Sequence, residues 1–121
     1  MSAYFLPAAI SMALLGFHLV VGGREIAQPL LTSQEFPSDV KHVLYICWHV
    51  VSILTGAFAL SYLAAAIDPA LRTYAIAATI LAGAMTLWSL AVVVWKRQSH
   101  REMPQWIAFL VLTLSGLWAL N

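Results

Sequence analysis

Charged side chains are confined to a few short stretches of this sequence, and their placement constrains the fold more than any motif. All 6 Lys and Arg residues and all 5 Asp and Glu residues lie outside four uncharged runs, at 1–23, 42–67, 73–95 and 103–121. A helix needs about 20 apolar residues to cross a hydrocarbon core about 30 Å thick. The sequence therefore predicts an all-α polytopic membrane protein, an antiparallel bundle of four transmembrane helices.

The composition agrees with this prediction, because 62% of the residues are hydrophobic and 9% are charged. A soluble domain has roughly a quarter charged residues. We expect a single transmembrane domain over all 121 residues, with spans at about 4–22, 39–66, 70–95 and 104–120. The connection after the first span, 24–38, is longer than a tight helix hairpin needs. We expect it to lie ordered against the bundle.

The basic residues predict how the chain is oriented. End A denotes the side of the N-terminus and end B the opposite side. Arg72 is the one basic side chain expected at end A, and five are expected at end B: Arg24, Lys41, Lys96, Arg97 and Arg101. Cytoplasmic loops have the excess of Lys and Arg, which predicts end B in the cytoplasm and both termini outside it, periplasmic if the membrane is a bacterial inner membrane.

The charge balance also bears on partners. A formal net charge of +1 argues against a nucleic-acid partner, which would require a strongly basic face. The predicted partner is the lipid bilayer. A homo-oligomer and a partner within a membrane complex are both left open.

Polar residues inside the spans lie on single helix faces, and polar groups in a membrane interior often mark function. Two stripes contain histidine: Ser11, His18, Gly22 and Glu25 in the first span, and His42, Tyr45, His49, Ser52 and Gly56 in the second. His18 lies six residues before Arg24 and His49 eight residues after Lys41. The depths of the two histidines therefore differ by about 3 Å, and Trp88 reaches the same level from the third span.

These stripes suggest a histidine-centred site in the cytoplasmic half of the bundle. Imidazole is a common ligand of transition metals and haem iron, and bundles build such sites from side chains on facing helices. We predict His18, His49 and Trp88 as cofactor-binding residues, and His18, His42 and His49 as metal ligands. Haem b or a transition metal ion, in a redox or sensing role, is the cofactor this predicts.

Two other functions stay open on the sequence alone. One is a structural or accessory subunit of a membrane complex, whose polar stripes only join helices. The other is a proton-coupled carrier or a membrane enzyme for a lipophilic substrate, with histidine as the acid–base group. Whether the chain is an enzyme is therefore left open.

Three segments resemble small four-span bacterial integral membrane proteins of uncharacterised function. They are residues 18–25 (HLVVGGRE), 41–49 (KHVLYICWH) and 104–106 (PQW). The resemblance implies a four-span membrane fold and no particular activity. Small multidrug transporters have a similar size but depend on a glutamate embedded in the first span, and this sequence has none there.

Overall fold

The computed structural model describes residues 2–121, which form helices and short connections without a strand. The elements are α1 (Phe5–Phe17), a π-helix (His18–Ala27), α2 (Gln28–Thr32), α3 (Ser38–Ile67), a 3₁₀ turn (Pro69–Leu71), α4 (Arg72–Trp95) and α5 (Gln105–Leu120). The predicted all-α class is confirmed.

Three helical stretches are long and apolar enough to cross a membrane. They are Phe5–Thr32, Ser38–Ile67 and Pro69–Trp95, with 28, 30 and 27 residues and mean hydropathies of 1.9, 2.0 and 2.0 in their most apolar windows. Helix α5 is also apolar but has 16 residues. At 1.5 Å per residue it is about 24 Å long, shorter than a hydrocarbon core of about 30 Å.

The first helical stretch extends ten residues beyond the predicted end of its span. The sequence indicated an end near Gly22, where the uncharged run stops, but the backbone continues through the π-helix and α2 to Thr32. Lys41 stabilises this end by donating from Nζ to the carbonyls of Ser33 at 3.0 Å and Leu31 at 3.4 Å. Most of the expected connection is therefore helical and is tied to α3.

The long helices form a closed arrangement in which each contacts two neighbours. Helix α1 packs against α3 and α5, and α4 packs against the same two helices. At end A, Arg72 donates from Nη2 to the Leu120 carbonyl at 2.7 Å and from Nε to the Tyr4 hydroxyl at 3.3 Å. These contacts join the first residues of α1 and α4 to the last residue of α5, as an antiparallel bundle requires.

The space between the helices contains many small and hydroxyl-bearing side chains together with a few large ones, Phe58, Tyr62 and Leu112, and many other large apolar side chains face outwards. The exposed fractions of Ile53, Leu60 and Leu87 are 72%, 69% and 71%. Buried hydroxyl residues are Ser11, Ser52, Thr55, Thr79, Thr86 and Ser115. This distribution is the reverse of a water-soluble bundle and is compatible with contact to lipid.

The close approach of α5 depends on Gly116. Beside it, the buried Tyr62 hydroxyl lies 2.9 Å from Oγ1 of Thr79, which donates to the Ala75 carbonyl at 2.8 Å. A Cβ atom at Gly116 would lie 2.6 Å from the Tyr62 hydroxyl oxygen and 2.5 Å from Oγ1 of Thr79. The glycine therefore lets α5 pack directly on this hydrogen-bonded pair.

We expect Gly116→Ala to lower the free energy of unfolding by about 1–3 kcal/mol, as overpacking of a core does. Gly16→Ala is the matched control, because a Cβ at Gly16 would meet no atom within 4 Å. Both substitutions gain the same helix propensity, so their difference isolates the contact at α5. Denaturant unfolding in detergent measures both, and equal effects would contradict this packing account.

Candidate functional site: an aromatic cluster beside a groove

His18 and Trp48 join the first helical stretch to α3 near end B. Their rings are stacked, with centroids 4.3 Å apart and an interplanar angle of 20°. Nε2 of His18 lies 3.2 Å from the backbone carbonyl of Trp48. Since a carbonyl oxygen only accepts, Nε2 donates the hydrogen bond. In the neutral imidazole, Nδ1 then has the free lone pair.

Tyr45 and His49 complete the aromatic cluster, defined as His18, Tyr45, Trp48 and His49. The His49 ring meets Trp48 edge-on at 4.8 Å and Tyr45 edge-on at 4.6 Å. Tyr45 and Trp48 are parallel at 6.1 Å. The structure thus brings His18 and His49 into one cluster, in which both contact Trp48.

The bond from His18 has a consequence for Ser52. Several hydroxyls in the long helices donate to the carbonyl four residues earlier, as Thr55 does to Val51 at 2.6 Å. The corresponding carbonyl for Ser52 belongs to Trp48, and His18 already bonds to it. Within the described chain, the buried Ser52 hydroxyl has no hydrogen-bond partner, and neither has Nε1 of Trp48.

Trp48 lies beside two glycines of the π-helix, at distances that would also accommodate a Cβ atom in ordinary van der Waals contact. Cβ atoms at Gly22 and Gly23 would be 3.8 Å and 4.0 Å from the indole ring. The same position at Gly22 is 3.8 Å from Nδ1 of His18. π-Helical turns are rare and occur often at functional sites, and here one begins at His18.

A groove of about 780 Å³ lies beside the cluster, between the first helical stretch and α5, with Val51 and Thr55 of α3 also lining it. His18 and Gly22 are part of its wall. Many of the other lining residues are apolar, among them Phe17, Val21, Ile107, Ala108 and Phe109. Polar and charged residues lie at the end-B mouth: Glu25, Arg101, Glu102 and Gln105. The groove is therefore apolar along its length and charged at one end.

The other predicted site residues lie elsewhere. His42 is exposed, and its Nδ1 bonds to the Ser38 carbonyl of its own helix at 2.7 Å. Trp88 is 65% exposed on α4 and lines a separate depression of about 180 Å³ with Met103. Among residues 2–121, no three His, Cys, Asp or Glu side chains are grouped to hold a metal ion. The three-histidine metal set and the role of Trp88 stay predictions.

Sequence reasoning missed Trp48 and the groove. The spacing of Tyr45, Trp48 and His49 places all three on adjacent positions of one helix, a signal that could have identified Trp48. The groove has no such signal, because it depends on the packing of α1 and α5.

The shared carbonyl predicts coupling between His18 and Ser52. In the wild-type chain, Ser52→Ala should raise the free energy of unfolding by about 0.5–1 kcal/mol, because it removes a buried hydroxyl that has no partner. In the His18→Ala background the freed carbonyl can accept from Ser52, so there Ser52→Ala should be about 0.5–1 kcal/mol less favourable.

Ser61→Ala is the control for this double-mutant cycle, since Ser61 donates to the Ala57 carbonyl at 2.8 Å on the same helix. Its effect should add to that of His18→Ala. Additive effects for Ser52 and His18 as well would show that the two side chains do not compete for the Trp48 carbonyl.

Comparison with protein-family models, with curated proteins and with solved structures finds no significant match to this chain.

Proposed function

We propose that this chain is an integral membrane protein that binds a small lipophilic molecule in the groove, with His18 accepting a hydrogen bond from the polar group of that molecule. The hydrogen bond from Nε2 to the Trp48 carbonyl supports this most directly. It fixes the imidazole and leaves Nδ1 as an acceptor, and His18 lines the groove where most of the surrounding side chains are apolar. Sites for small molecules combine these features, and their volumes are typically about 300–1,000 Å³.

The proposal places all four long helices across the bilayer of a bacterial inner membrane. Three of them have the necessary length and hydropathy. Helix α5 packs alongside α1 and α4, and a bilayer can thin locally around a span as short as this. The excess of basic residues at end B makes that end cytoplasmic and both termini periplasmic. The mouth of the groove then opens at the cytoplasmic surface.

A metal ion or haem bound through His18 is the second candidate. Metal-ligating imidazoles usually donate their other nitrogen to a carbonyl or carboxylate, as His18 does. The lipophilic ligand is favoured because the groove is lined mainly by apolar side chains and the second imidazole, His49, is not among its lining residues. An absorption spectrum and metal analysis of the purified protein separate the two candidates.

The hydrogen bond to His18 can be tested with two alkyl-aromatic probes, 4-nonylphenol and its methyl ether. The phenol can donate to Nδ1 and the ether cannot, so the wild-type protein should bind the phenol about fivefold more tightly, equivalent to about 1 kcal/mol. His18→Ala should abolish this preference. Displacement titrations on protein in nanodiscs measure both affinities.

A separate pair of variants tests whether the probes bind in the groove. Ala108→Phe fills the groove, whereas Ala84→Phe adds the same ring at an exposed position of α4. Only Ala108→Phe should lower the affinity for both probes. Unchanged binding in Ala108→Phe, or no binding of either probe to the wild type, would overturn the proposal and favour an accessory-subunit role.

A further inference from the structure

The mouth of the groove contains charges of both signs at the membrane surface. Glu25 lies on the π-helix, and Arg101 and Glu102 lie in the connection between α4 and α5. All three side chains are exposed. A purely anionic ligand would face two carboxylates here, and a purely cationic ligand would face the guanidinium. The charge pattern is complementary to a head group with a positive and a negative group.

The depth of His18 adds a third requirement for the ligand, besides one positive and one negative group. His18 lies seven residues before Glu25 on the same continuous helical stretch, about 10 Å deeper in the groove. Nδ1 is an acceptor, so it matches a hydroxyl group and not an ester carbonyl. The ligand that fits therefore has charged groups at the surface, a hydroxyl further in and an apolar body beyond.

We propose, building on the lipophilic-ligand function above, that the groove binds a single-chain zwitterionic lysophospholipid of the lysophosphatidylethanolamine class. Arg101 binds the phosphate, and the carboxylates of Glu25 and Glu102 bind the ammonium group. The free glycerol hydroxyl lies on the chain side of the phosphate and donates to Nδ1 of His18. Beyond His18, the acyl chain lies along Leu14, Phe17 and Phe109.

The size of the groove supports one acyl chain over two. Its volume of about 780 Å³ lies within the range of sites for single small molecules. A two-chain phospholipid also has both glycerol hydroxyls esterified, and so offers no donor to His18. The volume and the acceptor at Nδ1 therefore select the same class of lipid.

Native mass spectrometry of the detergent-solubilised protein tests this assignment with four lipids. Lysophosphatidylethanolamine should show the highest occupancy, above lysophosphatidylglycerol, which lacks the ammonium, and lysophosphatidylcholine, whose ammonium cannot donate hydrogen bonds. Two-chain phosphatidylethanolamine should bind least. Equal occupancy for the three lysolipids, or binding of the two-chain lipid as strong as that of its lysolipid, would overturn the assignment.

Charge variants locate the head group. Arg101→Gln should lower the affinity for lysophosphatidylethanolamine about fivefold, and Arg101→Lys should retain most of that affinity. Glu25→Gln and Glu102→Gln should reduce the preference over lysophosphatidylglycerol. Arg97→Gln and Glu35→Gln remove exposed charges that do not line the groove, so they should change binding less than twofold.

The two proposals fail in different ways. If Arg97→Gln lowers the affinity for the lipid as much as Arg101→Gln does, the assignment of the head group to Arg101 is wrong. Binding of nonylphenol that depends on His18 would then still support the lipophilic-ligand function. If neither nonylphenol nor any lysolipid binds, both proposals are wrong.

Discussion

Polar groups in a hydrocarbon interior must find partners within the protein, and most features of this bundle follow from that constraint. The buried threonines Thr55, Thr79 and Thr86 each donate to a carbonyl four residues earlier in their own helix. Their polarity is thus satisfied locally, and their small size lets the helices approach closely. Many large apolar side chains, such as Ile53, Leu60 and Leu87, face the exterior, where the proposed bilayer surrounds them.

His18 meets the same constraint differently, by donating to a carbonyl of another helix. In this arrangement the Trp48 carbonyl accepts from His18, the Ser52 hydroxyl has no partner, and the imidazole stacks against the Trp48 ring. A buried hydroxyl without a partner is costly. The arrangement leaves one imidazole nitrogen available beside an apolar groove, which is why the proposed function is centred there.

Much of the fold could be predicted from the sequence, because uncharged runs and helix length depend on local composition. The matched depths of His18 and His49 indicated that the two rings lie at one level, and in the structure each contacts the Trp48 ring; their predicted role as shared ligands stays a prediction. The continuation of the first helical stretch to Thr32 was not predicted, because the contacts of Lys41 with the carbonyls at its end join segments that are separate in the sequence. The outward orientation of Trp88 was not predictable either, since in a lipid-facing bundle hydropathy does not separate the interior from the exterior.

In the proposed topology four helices cross the bilayer with end B in the cytoplasm. Helix α5, with 16 residues, is the span whose crossing most needs a direct test. Cysteines introduced at Ser2, Ser33, Ser99 and Asn121, in a Cys47→Ser background, can be labelled with an impermeant thiol reagent in intact cells and in inverted vesicles. This topology predicts that cysteines at positions 2 and 121 are labelled only from the periplasm. Cysteines at positions 33 and 99 should be labelled only from the cytoplasm. Labelling of Asn121 from the cytoplasm would contradict it, because α5 would then not span the membrane.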